Sequence, residues 1–82
     1  MATVLVTGAN RGIGLEFVKH YLDRGEQVIG TYRDTVSSDK LIQMGEVHDS
    51  LKTLTLDVSS DESLKYFSDQ LGDIPIDIFI NN

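Results

Sequence analysis

Glycines at positions 8, 12 and 14 stand between the apolar, β-branched run Thr3 to Thr7 and a segment of helical period. A strand that turns through a glycine-rich loop straight into a helix leaves few folds open, because the helix must lie back on the strand it follows. From Ile13 onward, Ile13, Phe17, Val18, Tyr21 and Leu22 share one helical face. Arg24 falls in the last turn and Gly25 just beyond it, where helices commonly stop.

The alternation repeats down the chain. Gln27 to Tyr32 reads as a second strand and Leu51 to Val58, with Leu54 and Leu56 alternating against polar neighbours, as a third. Between them, in the stretch Val36 to His48, Leu41, Ile42 and Met44 suggest a short helix ended by Gly45. Ser59-Ser60-Asp61-Glu62 fits a capping box with Ser59 at the N-cap. Leu64, Phe67 and Leu71 continue that helix on one apolar face, and Gly72 and Pro75 end it. Ile76 to Ile80 is a fourth strand, followed by Asn81-Asn82. Helical crossovers between strands require parallel pairing, and right-handed crossovers restrict the layout. The expected fold is therefore an α/β, Rossmann-type open parallel sheet of order 3-2-1-4, truncated after its fourth strand, with residues 1–82 forming the N-terminal part of a single such domain. In that order the first two helices cover one face and the third crosses to the other. The reversal opens a crevice at the carboxyl ends of strands one and four, where such sheets bind ligands.

Composition narrows the function classes. The net charge of −6 repels nucleic acid and anionic membrane surfaces in bulk, so neither is expected as a partner. An anionic ligand must then be held by local groups. No cysteine is present, which removes disulfides and thiolate metal sites, and His20 and His48 read as surface residues. No apolar run approaches the about 18 residues that span a bilayer. The start Met1-Ala2-Thr3-Val4 lacks the basic and long apolar regions of a signal peptide, so a soluble, cytoplasmic protein is the expectation.

Each glycine of the loop has a physical task. Gly8 permits the tight turn off the strand, Gly12 leaves room for a pyrophosphate to approach the backbone, and Gly14 lets the helix pack closely. The free amides and positive dipole end of the helix then face the phosphates. The spacing is not G-x-G-x-x-G, which would require a glycine at Phe17, and no Gly-Lys-Ser/Thr follows to make a P-loop.

Thr7-Gly8-Ala9-Asn10-Arg11-Gly12-Ile13-Gly14 resembles the T-G-x-x-x-G-I-G signature of the short-chain dehydrogenases/reductases. Leu56-Asp57-Val58 resembles the family's acidic residue after the third strand, which contacts adenine. Asn81-Asn82 resembles the start of the family's N-N-A-G motif. Within the family the first helix and its loop look closest to the C-factor and carbonyl-reductase-like group. The resemblance covers the whole chain but only the first part of a typical member. It implies a dinucleotide cofactor held by Gly8, Asn10, Arg11, Gly12, Ile13, Gly14, Arg33, Asp57, Val58 and Asn81. Gly8, Arg33, Asp57 and Asn81 all fall at or just past the carboxyl ends of their strands, which agrees without the family name.

The ribose-recognition position lies at the end of the second strand, where Arg33 and Asp34 compete. An acid there would accept both ribose hydroxyls of NAD, whereas an arginine would pair with the 2′-phosphate of NADP. The resemblance places the discriminating acid at Tyr32, with Arg33 next to it as in NADP-preferring members. Arg11 is a second cation able to reach the same phosphate, so NADP(H) is expected over NAD(H). Asp57 has an alternative reading as a cap of the following turn, compatible with the first.

The family's reaction moves a hydride between nicotinamide and a carbonyl or alcohol carbon, with a serine and a Tyr-x-x-x-Lys pair as the acid–base set. Here Tyr21 is followed four residues on by Gly25, Tyr32 by Val36 and Tyr66 by Gln70, so no catalytic residue is assigned. The expectation is the cofactor-binding half of an oxidoreductase whose parent is a homo-oligomer. The alternatives are a non-catalytic dinucleotide-binding or signalling module and a non-functional remnant. Ile76 to Ile80 is expected as an exposed apolar edge that drives self-association.

Overall fold

A computed structural model of the chain describes residues 1–34 and 38–82. Its elements are β1 (Thr3–Val6), α1 (Gly12–Asp23), β2 (Gln27–Tyr32), α2 (Asp39–Val47), β3 (Leu51–Thr55), α3 (Asp61–Leu71) and β4 (Ile78–Ile80). The strands form one parallel sheet in the order β3-β2-β1-β4, as the alternation of periods implies. Register pairs Val6 with both Gly30 and Ile80, so β1 and β4 end together, while β2 runs two residues further beside β3. Among the described residues no helix is long and apolar enough to cross a membrane.

Strand alternation divides the core into two layers. Val4, Val6, Val28 and Leu51 meet Leu15, Val18 and Leu41 on one face. On the other, Leu5, Ile29 and Leu54 meet Phe67, Leu71 and Ile76. The first layer is the drier one, with Val4, Val6, Val18 and Leu41 wholly buried. No residue of α3 is buried, and Leu64, expected on its apolar face, is 41% exposed. A single helix laid on four strands leaves its flanks open to water.

Several local expectations shift. α1 buries Gly14, Leu15 and Val18, while Ile13 is 68% exposed. At 3.6 residues per turn Ile13 lies nearly opposite Leu15 and Val18 around the helix axis, away from the face that the sheet covers. The expected helix around Leu41 does not stop at Gly45; α2 runs on to Val47. A Cβ on Gly45 would lie 3.0 Å from Thr53 Cγ2, so this glycine marks the approach of α2 to β3. Val36, where that segment was expected to open, lies outside the described residues.

The cap of α3 is Ser60, whose Oγ accepts the Ser63 amide at 3.2 Å, one residue later than the capping box placed it. Ser59 is drawn away because its amide and hydroxyl donate to Asp57. β3 ends at Thr55, short of Val58, although the Leu56 amide still donates to the Tyr32 carbonyl at 2.8 Å. β4 begins at Ile78 because Asp77 accepts the Thr3 amide with its side chain at 2.8 Å, while Ile76 turns under α3.

The contrast between layers yields a stability test. Leu41→Ala should lower the free energy of unfolding by about 2–5 kcal/mol, through lost transfer and a residual cavity. Leu64→Ala should lower it by under about 1 kcal/mol. Urea unfolding of the two variants against the parent chain checks both values.

Candidate functional site

The loop from β1 to α1 leaves the sheet at its carboxyl edge. Gly8 and Gly12 both hold φ of +58°, a left-handed conformation that L side chains rarely adopt. The Ala9 amide donates to the Thr31 carbonyl at 2.8 Å, which ties the loop to the end of β2. A Cβ on Gly14 would stand 2.2 Å from the Gly8 carbonyl oxygen and 2.6 Å from Asn82 Nδ2. Only a bare backbone lets the first turn of α1 seat itself there. A Cβ on Gly12, by contrast, would meet nothing within 4 Å. Arg11, the N-cap residue, is extended and its side chain does not cap α1. The first-turn amides, which no intrahelical carbonyl serves, open on that space.

A cleft of about 500 Å³ lies over this loop, lined by Gly8, Asn10, Arg11, Gly12, Ile13 and Asn82. A second, of about 480 Å³, lies over the ends of the strands, with Arg33, Asp57, Val58, Phe79 and Asn81 in its wall. Asn82 belongs to both walls. Every residue expected at the site therefore borders one of these two spaces except Gly14, which lies under the loop. Arg11 and Arg33, expected to converge, line different clefts.

Asn82 carries a structural weight that the sequence reading gave to Asn81. Its Nδ2 donates to the Gly8 carbonyl at 2.9 Å and its backbone amide donates to Thr7 Oγ1 at 3.0 Å. The Thr7 hydroxyl donates in turn to Asn81 Oδ1 at 3.1 Å. The end of β4 is thus latched to the glycine loop through two adjacent amides. The only sequence signal for the second was its place directly after Asn81.

At the other side of the crevice, Asp57 Oδ1 accepts the Ser59 hydroxyl at 2.6 Å and the Ser59 amide at 3.0 Å. The Asp57 amide donates to Ser63 Oγ at 2.8 Å, in the first turn of α3. The alternative reading of Asp57 holds, since it closes the following turn, and its side chain also borders the cleft. Asp57 Oδ2 stands 3.9 Å from Arg33 Nε. The hydrogen bonds from Ser59 hold the Asp57 carboxyl below its ordinary value, with Arg33 adding to them and partial desolvation opposing. Tyr32 packs against the first core layer, while Asp34 is exposed.

A carboxyl depressed in the folded state contributes stability that is complete above its unfolded pKa and lost as pH falls through the folded one. Asp57→Asn should therefore lower the melting temperature near pH 7, where that contribution is complete, and flatten its decline below about pH 4, so that parent and variant converge in acid. Thermal unfolding of parent and variant across that range checks it; parallel acid limbs would refute the ionic role of Asp57.

The profile of the short chain dehydrogenase family matches residues 2–82. Among curated relatives, the 3-oxoacyl-(acyl-carrier-protein) reductase FabG of Vibrio cholerae is 38% identical over 82 residues, covering 95% of this chain and 32% of that protein. The NADPH-bound carbonyl reductase from chicken fatty liver superposes with a TM-score of 0.83 at 35% identity, covering 100% of this chain and 34% of that one. A carbonyl reductase from Pseudomonas aeruginosa PAO1 in complex with NADP gives a TM-score of 0.87 at 34% identity, covering 100% and 38%. The chain spans about a third of the length of the curated relatives it matches. With a family match along nearly all its length and a fold that superposes on these reductases, the chain belongs to the short-chain dehydrogenase/reductase family.

Proposed function

We propose that this chain is the NADP(H)-binding segment of an oxidoreductase that moves a hydride between nicotinamide and a carbonyl or alcohol carbon. The observation that carries this reading is the open, left-handed backbone at Gly12 beside the uncapped start of α1, joined through Asn82 to a second cleft that holds Arg33 and Asp57. The residues present fit a dinucleotide, because a side chain at Gly12 would fill the space a pyrophosphate needs. The amides of Gly12, Ile13 and Gly14 would bind the phosphates, with Gly8 shaping the turn and Asn10 and Arg11 flanking it. Asp57 and Val58 would border the adenine, Arg33 would pair with a ribose phosphate, and Asn81 would close the crevice at the end of β4. When bound, the nicotinamide supplies or accepts the hydride.

The preference for NADP(H) rests on Arg33, whose guanidinium matches a phosphate in charge and in donor geometry. The two carbonyl reductases named above, which carry NADPH or NADP, support it by analogy. Calorimetric titration of the chain should show NADPH binding more tightly than NADH, and Arg33→Asp should reverse that order by about ten-fold or more. Failure to bind either dinucleotide would sink the proposal. An unchanged ratio in Arg33→Asp would remove Arg33 from the site.

The β4 edge supports a second proposal, self-association of the chain. Ile78 and Phe79 on this edge strand are 37% and 59% exposed, beside unpaired backbone groups. Sedimentation velocity of the chain should show a concentration-dependent dimer or larger species, suppressed by Phe79→Lys. A single monomer boundary at all concentrations would exclude it.

A further inference from the structure

We propose that Asp57 is a positioning residue for the Arg33 guanidinium, and so sets how sharply the chain separates a dinucleotide with a ribose phosphate from one without it. The inference rests on the dinucleotide reading above and adds to it a determinant of specificity.

The geometry begins with the sheet. β2 and β3 run parallel with Tyr32 opposite Thr55, and the bond from the Leu56 amide to the Tyr32 carbonyl extends that pairing to the end of both strands. Arg33 follows Tyr32 and Asp57 follows Leu56, one step beyond that register, so both stand at the mouth of the cleft. The Asp57 carboxylate is not free to turn. Ser59 occupies Oδ1 with two hydrogen bonds, and Ser63 anchors the Asp57 amide to the start of α3. Oδ2 is thereby presented on the side of Arg33.

The contact is of a kind that guides without competing. At 3.9 Å, Arg33 Nε and Asp57 Oδ2 attract as charges but lie beyond hydrogen-bond length. The Arg33 side chain is 77% exposed, so water screens the attraction and the pair yields readily to a stronger anion. Arginine has five N–H donors, and engagement of Nε leaves the two Nη groups for a phosphate. An exposed arginine held near its binding position loses less rotamer freedom when the phosphate arrives. The opposing effect is repulsion between the Asp57 carboxylate and the phosphate. Screening at this solvent-exposed site weakens both that repulsion and the attraction that orders Arg33, and the sign of the Asp57→Asn effect measures which of the two prevails.

The test uses adenosine 2′,5′-bisphosphate and AMP, which differ only in the ribose phosphate, titrated calorimetrically into the whole chain. Asp57→Asn should lower the affinity ratio of the two probes about two- to ten-fold, the range expected for ordering one long side chain. Ser59→Ala keeps the charge but removes the hydroxyl bond to Oδ1, leaving only the backbone amide to hold the carboxylate, and should lower the ratio in the same direction. In an Arg33→Ala background, Asp57→Asn should leave the ratio unchanged, because nothing remains to be positioned. Thermal melts establish that each variant is folded before titration. A ratio that rises in Asp57→Asn, or stays constant in both Asp57→Asn and Ser59→Ala while Arg33→Ala abolishes it, overturns the role of Asp57 and leaves the dinucleotide reading intact. Binding of neither probe to the parent chain overturns both.

Discussion

The first turn of α1 comes so close to the end of β1 that a single methyl group at Gly14 would overlap the Gly8 carbonyl. Everything at the carboxyl edge follows from that approach. It sets the glycine loop at the edge and aims the start of α1 into the space above Gly12. It also brings Asn82 near enough to hold the loop from the β4 side. The loop is tied on its other flank by the Ala9 amide, which reaches the Thr31 carbonyl. A preorganised ring of backbone groups results, with little conformational freedom left for a ligand to remove.

The two faces of the sheet contribute unequally to this arrangement. α1 and α2 cover a dry layer in which Leu41 is wholly buried, and α2 approaches so closely that a Cβ at Gly45 would press on the Thr53 methyl. The α3 face is wetter, and its helix contributes less to the core than to the local chemistry. Through Ser60 and Ser63 its first turn organises the bend that carries Asp57. One helix end thus holds up the Asp57 side of the crevice, as the start of α1 holds up the side of the glycine loop.

Charge is handled locally. A chain of net charge −6 gives an anion no general welcome, so attraction must come from helix amides and from placed cations. Arg11 and Arg33 stand over separate clefts, one beside the loop and one beside Asp57. A long ligand with two anionic centres suits that division better than a compact one.

The sequence by itself determined the order of elements, the parallel sheet and the convergence of Gly8, Arg33, Asp57 and Asn81 on one edge. Hydrophobic period and glycine placement are local properties of the chain, and crossover geometry turns them into topology. What sequence could not decide were matters of which neighbour arrives. Gly45 reads as a helix stop until β3 is seen against it, and Ile13 reads as core until the sheet is seen to cover the face of α1 that carries Leu15 and Val18. Ser59 and Ser60 are equivalent caps on paper, and the pull of the Asp57 carboxylate on Ser59 selects Ser60. Asn81 and Asn82 are likewise indistinguishable as neighbours in the chain. Only the alternation of directions at the end of β4 sends one amide to Thr7 and the other to Gly8. Periodicity is written along the chain, whereas the choice between adjacent, chemically similar residues is made by groups distant in sequence that only the fold brings within hydrogen-bond reach.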